Sequence, residues 1–344
     1  MEYRWIGESG LRVSEFCLGT MTFGHGTDSA DASRMVSMAY DMGVTFFDTA
    51  NSYAAGESER MLGTALGSRR WEVVVATKFT NPMGPGPNDA GWSRAHIVQA
   101  VEGSLRRLDT DYIDIYYVHH TDDHTPLDEM LTALDDLVRS GKVRYIACSN
   151  FEGWRLSDAL WTSQVGGLEQ FICYQAHYSL VVRDIEAEIA PIAVGKGLGI
   201  VAFASLGSGF LSGKYAPGQR SLPGTRSEEG WVFPAAHFHP EADEILETLL
   251  AVGSEEGVEP AQAAIAWVLA QPGISAALVG ARTPEQLEIN LGATDVSLSD
   301  ESVERLDGVS RPRPRYPEWM EAGQEARRES ALAPPSYAND DEEG

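Results

Sequence analysis

Asp48, Tyr53, Lys78 and His119 are residue types that together can place a proton on a carbonyl oxygen. Each stands at or just beyond the end of a short apolar run. Asp48 ends one in Phe47-Asp48-Thr49-Ala50, with Asn51-Ser52-Tyr53 following; Thr77-Lys78 ends the next; His119-His120 follows Val118. Carbonyl reduction by hydride leaves an alkoxide that needs a proton donor. A free phenol, with a pKa of about 10, is a weak acid at neutral pH, and a nearby ammonium favours its deprotonated form. Lys78 can supply that ammonium. Asp48 can pair with Lys78 and keep it charged and aimed, while His119 can hydrogen-bond the substrate oxygen and share charge in the transition state. Singly, each has a plainer reading: a rim ion pair, a packing tyrosine, a satisfied histidine. Their appearance at successive strand ends favours chemistry.

Those strand ends belong to a repeated unit of apolar strand, loop and amphipathic helix. The strands are expected at 16–19 (FCLG), 44–47 (VTFF), 73–76 (VVVA), 113–118 (IDIYYV), 144–148 (RYIAC), 171–174 (FICY), 200–203 (IVAF) and 277–279 (ALV). Eight such strands alternating with helices is the order of an α/β, (β/α)8 TIM barrel. Their unbroken apolar character suits a sheet covered on both faces. Tyr3–Trp5 and Leu11–Val13 around Gly7–Gly10 predict an N-terminal β-hairpin. Between strands, Leu127, Met130, Leu131, Leu134, Leu137 and Val138 keep one apolar helical face, stopped at Gly141. Ser93 is placed to cap a helix whose stripe is Ile97, Val101, Leu105 and Leu108. The Gly-, Pro- and Ser-rich stretch 207–240 exceeds a normal connection and suits a lid. The barrel domain is expected over 1–310. Residues 311–344, with RPRPRYP, APP and DDEEG, have no evident helical period and are expected as an extra C-terminal helix or tail, partly mobile.

Composition narrows the class. The chain of 344 residues carries a formal net charge of −25, and its 26 basic residues include only four lysines. So negative a surface opposes nucleic acid and anionic membranes. It repels itself unless salt screens it, and resembles the composition of salt-adapted proteins; an Arg-rich, acidic cytosolic protein is the plainer alternative. No apolar run approaches the roughly 20 residues that cross a bilayer, and the N-terminus lacks a basic-then-apolar leader pattern. Cys17, Cys148 and Cys173 lack metal-ligand spacing and suit buried free thiols in a reducing cytoplasm. A cytoplasmic monomer or small homo-oligomer without a metal is the expectation.

Over about residues 3–310 the sequence resembles the aldo-keto reductase family. The matching stretches are Leu18-Gly19-Thr20-Met21, Phe47-Asp48-Thr49-Ala50, Gly56-Glu57-Ser58-Glu59, Thr77-Lys78, Ser104-Leu105-Arg106-Arg107-Leu108, Val118-His119 and Cys148-Ser149-Asn150-Phe151. Tyr174-Gln175, Leu206-Gly207-Ser208-Gly209 with Gly213-Lys214-Tyr215, and Gly280-Ala281-Arg282 with Pro284-Glu285-Gln286-Leu287 follow in order. The resemblance implies reduction of a small-molecule aldehyde or ketone with NAD(P)H, and selects His119 over His120 as the catalytic histidine. It further implies that Ser149, Asn150 and Gln175 hold the nicotinamide carboxamide and that Phe203 stacks on the ring. Gly19, Thr20, Met21 and Asp48 would approach the cofactor, with Ser205, Leu206, Gly207, Ser208 and Gly209 covering its diphosphate beside Lys214. There is no GxGxxG after the first strand; small residues instead follow strand seven, where this barrel gathers phosphate sites. Gly280, Arg282, Gln286 and Asn290 match the adenosine end, and Arg282 offers a phosphate-matched donor fork. Gln286 stands where strongly NADPH-selective members carry arginine, and Ile289 where the family commonly has a glutamate before Asn290. NADP(H) preference with NAD(H) tolerated is therefore expected. Phe23, Tyr53, Trp92, His119 and His120 are expected around the substrate; Trp92 can be a pocket wall or a staple before the Ser93 cap. Two alternatives stand beside the reductase: a nicotinamide-binding, redox-sensing regulatory subunit, and a barrel aldolase using Lys78 as a Schiff-base nucleophile.

Overall fold

Eight apolar strands that must be covered on both faces can close on themselves, filling the inside with their own side chains and the outside with helices. The computed structural model, which describes residues 1–223, 225, 228 and 237–332, adopts this solution. A hairpin of β1 (Tyr3–Trp5) and β2 (Arg12–Ser14) comes first, antiparallel with Tyr3 opposite Ser14. The closed parallel barrel then runs β3 (Phe16–Gly19), β4 (Phe46–Asp48), β5 (Val74–Phe79), β6 (Ile113–Val118), β7 (Val143–Ser149), β8 (Phe171–His177), β9 (Gly199–Phe203) and β10 (Ile274–Val279), which returns to β3.

The helices covering it are α1 (Ser29–Asp41), α2 (Glu57–Leu66), α3 (Arg94–Leu108), α4 (Leu127–Arg139), α5 (Gly153–Gly166), α6 (Ile189–Gly195), α7 (Ala242–Glu256), α8 (Pro260–Ala270), α9 (Pro284–Leu291) and α10 (Asp300–Ser310). Ser93 caps α3 by accepting from the His96 N–H. α4 buries Met130, Leu131, Leu134 and Leu137 as its spacing requires, and Gly141 just past it takes φ +77°. Inside the barrel, Cys17, Phe46, Ile115, Tyr117 and Val201 pack with Ile6 and Val13 of the hairpin, which closes the N-terminal end. Gly7 sits in that closure at φ +54°, where a Cβ would fall 2.2 Å from the Gly197 carbonyl oxygen, so only glycine fits. The three cysteines are buried free thiols.

Several strands run further than their apolar stretches. β5 continues through Thr77, Lys78 and Phe79, β7 through Ser149, and β8 through Gln175, Ala176 and His177. The described residues divide into two units, one ending at Ser310 and the other beginning at Arg311. In the second, α11 spans Glu318–Leu332, where the sequence offered no evident helical period. Part of the expected lid, 224, 226, 227 and 229–236, lies outside the described residues, as does 333–344. No helix among the described residues is long and apolar enough to cross a membrane.

Candidate active site

A parallel barrel brings every strand's C-terminal end to one rim, so the registers decide which side chains meet. Gly19 pairs with Asp48, Asp48 with Ala76, Lys78 with Tyr117, Val118 with Cys148, and Ser149 with Gln175. Lys78 is thereby enclosed completely. Its ammonium donates to Asp48 Oδ1, to the Thr49 carbonyl oxygen at 2.8 Å, and toward Tyr53 Oη at 3.4 Å. Three acceptors match the three N–H groups of a protonated lysine, whereas a neutral amine has only two. Burial opposes this charge, but Asp48 and Tyr53 outweigh it and hold Lys78 above the ordinary lysine range. For Asp48 burial is the largest influence and pushes the carboxyl up, against Lys78 and Gln175. The two directions favour opposite states of the pair; the filled donor set of Lys78 argues for the ionised one. Such a lysine is a poor free-amine nucleophile, which weighs against the aldolase alternative.

His119 is buried, with Tyr53 edge-on at 5.9 Å and the His120 ring stacked at 4.5 Å. Burial first, then the Lys78 charge and His120, hold its pKa well below the usual histidine value. The ring is therefore neutral at neutral pH. His120 is exposed and its pKa is lowered by the same leading cause.

Behind these groups stands a layer of residues without an expected role. Glu59 of α2 is fully buried; it accepts from Thr77 Oγ1 at 2.6 Å and pairs with Arg107 Nε at 2.6 Å, tying α2 and α3 to the strand that carries Lys78. Ser58 bonds Thr20 and Thr49 at 2.8 and 2.9 Å. Both residues lie in the Gly56–Glu59 stretch, where Glu57 is exposed and Glu59 buried, so charge alone does not tell the two glutamates apart in sequence. Asn81, also unmarked in sequence, sits 3.3 Å from Ser52 Oγ and 3.5 Å from His119 Nδ1. His177 ends β8, stacks on Phe203 at 5.1 Å and meets His237 across 3.0 Å.

The residues expected to hold a dinucleotide lie along the same rim. Gln175 Nε2 donates to Asp48 Oδ2 at 2.8 Å, Ser149 Oγ donates to the Gln175 carbonyl, and Asn150 Nδ2 donates to the His119 carbonyl, both at 2.9 Å. Asn150 takes φ +58° to do so. Ser205 is buried, and beyond Leu206 the turn Gly207-Ser208-Gly209 has φ +55°, +55° and +97°, with a Cβ at Gly209 3.1 Å from Lys214 Nζ. A turn of small residues in left-handed conformations beside a cation is chemistry that fits a diphosphate. Gly19 and Gly280 approach so closely that a Cβ on Gly280 would lie 3.2 Å from the Gly19 carbonyl oxygen. Thr20 is buried and Met21 half-buried. At the adenosine end, the Arg282 backbone N–H donates to Gln286 Oε1 at 3.1 Å, while Asn290 is buried.

Two expected substrate contacts sit elsewhere. Phe23 is fully enclosed, and Trp92 is only 1% exposed, so neither is an open pocket wall. The Trp92 indole donates to the His120 carbonyl at 2.9 Å and its ring packs on Phe151 at 5.4 Å. It supports the histidine loop from behind, because a large aromatic directly before a helix cap gains more by burial than by lining a wet cleft. Tyr53 and His120 do reach solvent.

Comparison with known proteins gives a family model, described as the aldo/keto reductase family, matching residues 15–311. A protein named "Uncharacterized oxidoreductase YrpG" from Bacillus subtilis (strain 168) is 41% identical over 320 residues, covering 90% of this chain and 96% of that one. Proteins named "Probable voltage-gated potassium channel subunit beta" from Oryza sativa subsp. japonica and Arabidopsis thaliana are 36% and 34% identical, each over 92% of this chain and 99% of theirs.

Proposed function

The chain belongs to the aldo/keto reductase family, and from that premise we propose that this oxidoreductase reduces an aldehyde or ketone to an alcohol, with Tyr53 as general acid. The observation that carries the proposal is the filled donor set of Lys78, which aims one of its three N–H groups at the Tyr53 oxygen. When bound, NAD(P)H supplies the hydride. Ser149, Asn150 and Gln175 would hold its carboxamide and the 205–209 turn with Lys214 its diphosphate. Phe203 would stack on the nicotinamide, while Arg282, Gln286 and Asn290 would take the adenosine end.

The protein's own part is proton supply and charge stabilisation. As the carbonyl carbon gains hydride, its oxygen takes the phenolic proton of Tyr53. The phenolate left behind faces the Lys78 ammonium, which Asp48 keeps charged. His119, neutral, donates to the same oxygen and orients the carbonyl. Arg282 favours NADP(H), and the absence of an arginine at Gln286 leaves NAD(H) tolerated.

A second reading has its own support. Two relatives bear the name of a potassium channel subunit, which fits a nicotinamide-binding regulatory partner. One experiment separates the two: turnover of a broad aldehyde and ketone panel with NADPH and NADH, in wild type and Tyr53→Phe. The reductase predicts turnover, faster with NADPH, falling about 10²–10⁴-fold in the variant while cofactor binding persists. Tight cofactor binding without turnover on any substrate favours the regulator. A Tyr53→Phe variant as active as wild type removes the mechanism.

A further inference from the structure

Asn81 follows β5 by two residues. Between them Thr80 takes φ +113°, a conformation that β-branched residues rarely adopt, and its buried hydroxyl has no hydrogen-bond partner among the described residues. Such strain persists only where the surroundings enforce it. Its geometric result is a sharp turn that sets the Asn81 amide between two parts of the site. Asn81 Nδ2 reaches Ser52 Oγ, the neighbour of Tyr53, at 3.3 Å and faces His119 Nδ1 at 3.5 Å.

From this placement we infer that Asn81 is a positioning residue that fixes His119 in the tautomer carrying its proton on Nε2. The inference rests on the reductase reading for its catalytic meaning, but not for its geometry. A neutral imidazole has one N–H and one lone pair, and an amide NH2 only donates. Two donors cannot face each other, so Nδ1 must present its lone pair. Nε2 then holds the hydrogen and can donate to a substrate oxygen. The other groups around the ring do different work. Lys78 and His120 disfavour a charged ring, while the Tyr53 edge and the His120 stack set its plane. Of these contacts, only that of Asn81 selects between the nitrogens. Through Ser52 the same amide also links the ring to the loop bearing Tyr53.

The test uses the full-length protein with 15N-labelled histidine and long-range 1H–15N correlation spectra, His119 being assigned by loss of its signals in His119→Gln. At neutral pH the wild type should show His119 as the Nε2–H tautomer. Asn81→Asp places an acceptor opposite Nδ1; the proton should move to Nδ1, or the ring should gain charge and begin to titrate near neutral pH. In the same variant kcat should fall roughly tenfold or more, with KM changing much less. A wild-type spectrum with the proton on Nδ1 overturns the inference, and it requires no variant to fold. So does an Asn81→Asp protein that keeps both the Nε2–H tautomer and the wild-type kcat. Because the tautomer is read without turnover, its failure is distinct from failure of the reductase reading, which Tyr53→Phe decides.

Discussion

Lys78 is the residue whose surroundings are most demanding, since a fully buried cation is tolerated only with its partners in place. Lys78→Met removes the cation and strands the Asp48 carboxylate, and breaking a buried pair this way costs about 3–5 kcal/mol. The pH dependence follows from the raised Lys78 pKa. A group raised on folding contributes stability in full below its unfolded pKa, about 10.4 for lysine, and loses it as pH rises through the folded value. Urea unfolding across the alkaline limb should therefore show the gap between wild type and Lys78→Met closing above about pH 10.4. A gap that stays constant there, or no gap at neutral pH, would contradict the assignment of a charged, fully coordinated Lys78. Tyr53, by contrast, is half exposed to the rim and belongs to function more than to stability.

At the scale of elements, β5 is held in place from behind. Glu59 lies fully buried between Thr77 of that strand and Arg107 of α3, so α2 clamps strand and helix through one carboxylate. Glu59→Ala leaves Arg107 and Thr77 without that acceptor and should lower unfolding free energy by about 3–5 kcal/mol in chemical denaturation. A loss under about 1 kcal/mol would mean that the clamp is no more than a surface pair. Glu59 also illustrates what the sequence conceals. The apolar runs of IDIYYV and FCLG gave β6 and β3 to the residue, because both strands stop on their last apolar side chain or the glycine after it, with only Asp114 interrupting the buried run of β6. β5, β7 and β8 outran the runs that announced them, and the overrun residues include Lys78, Ser149, Gln175 and His177. Polar side chains at the rim face the site, so apolar patterning stops where function starts. The four side chains of the proposed mechanism were legible because their types and order stand out. Asn81 was not, since its place depends on the positive φ of Thr80, which no pattern of residue types announces.

The whole molecule carries its charge unevenly in kind: 51 acidic residues against 26 basic, and a formal net charge of −25. Many arginines are committed to local pairs, such as Arg183 with Glu186 and Asp307, or Arg220 with Asp243 at 2.6 Å. With about twice as many acidic as basic residues, pairing cannot neutralise the acidic excess, and the mutual repulsion is felt more strongly in the folded state, where the charges are closest. Salt acts on both terms in opposite directions. It weakens exposed pairs, but each of those contributes only about 0–1 kcal/mol, whereas it screens every repulsion beyond the Debye length, about 10 Å at 0.1 M and 3 Å at 1 M. With so large an excess of one sign the second term should win. The melting temperature should rise steadily from low to molar KCl at neutral pH. The rise should shrink near pH 4.6, the isoelectric point, where net repulsion disappears. A melting temperature that is flat or falling with KCl at neutral pH would show that the local pairs dominate. A rise of equal size at pH 4.6 would assign the effect to general salting rather than to charge. Only the combination of a large gain at neutral pH and a small one at the isoelectric point ties stability to the acidic surface itself.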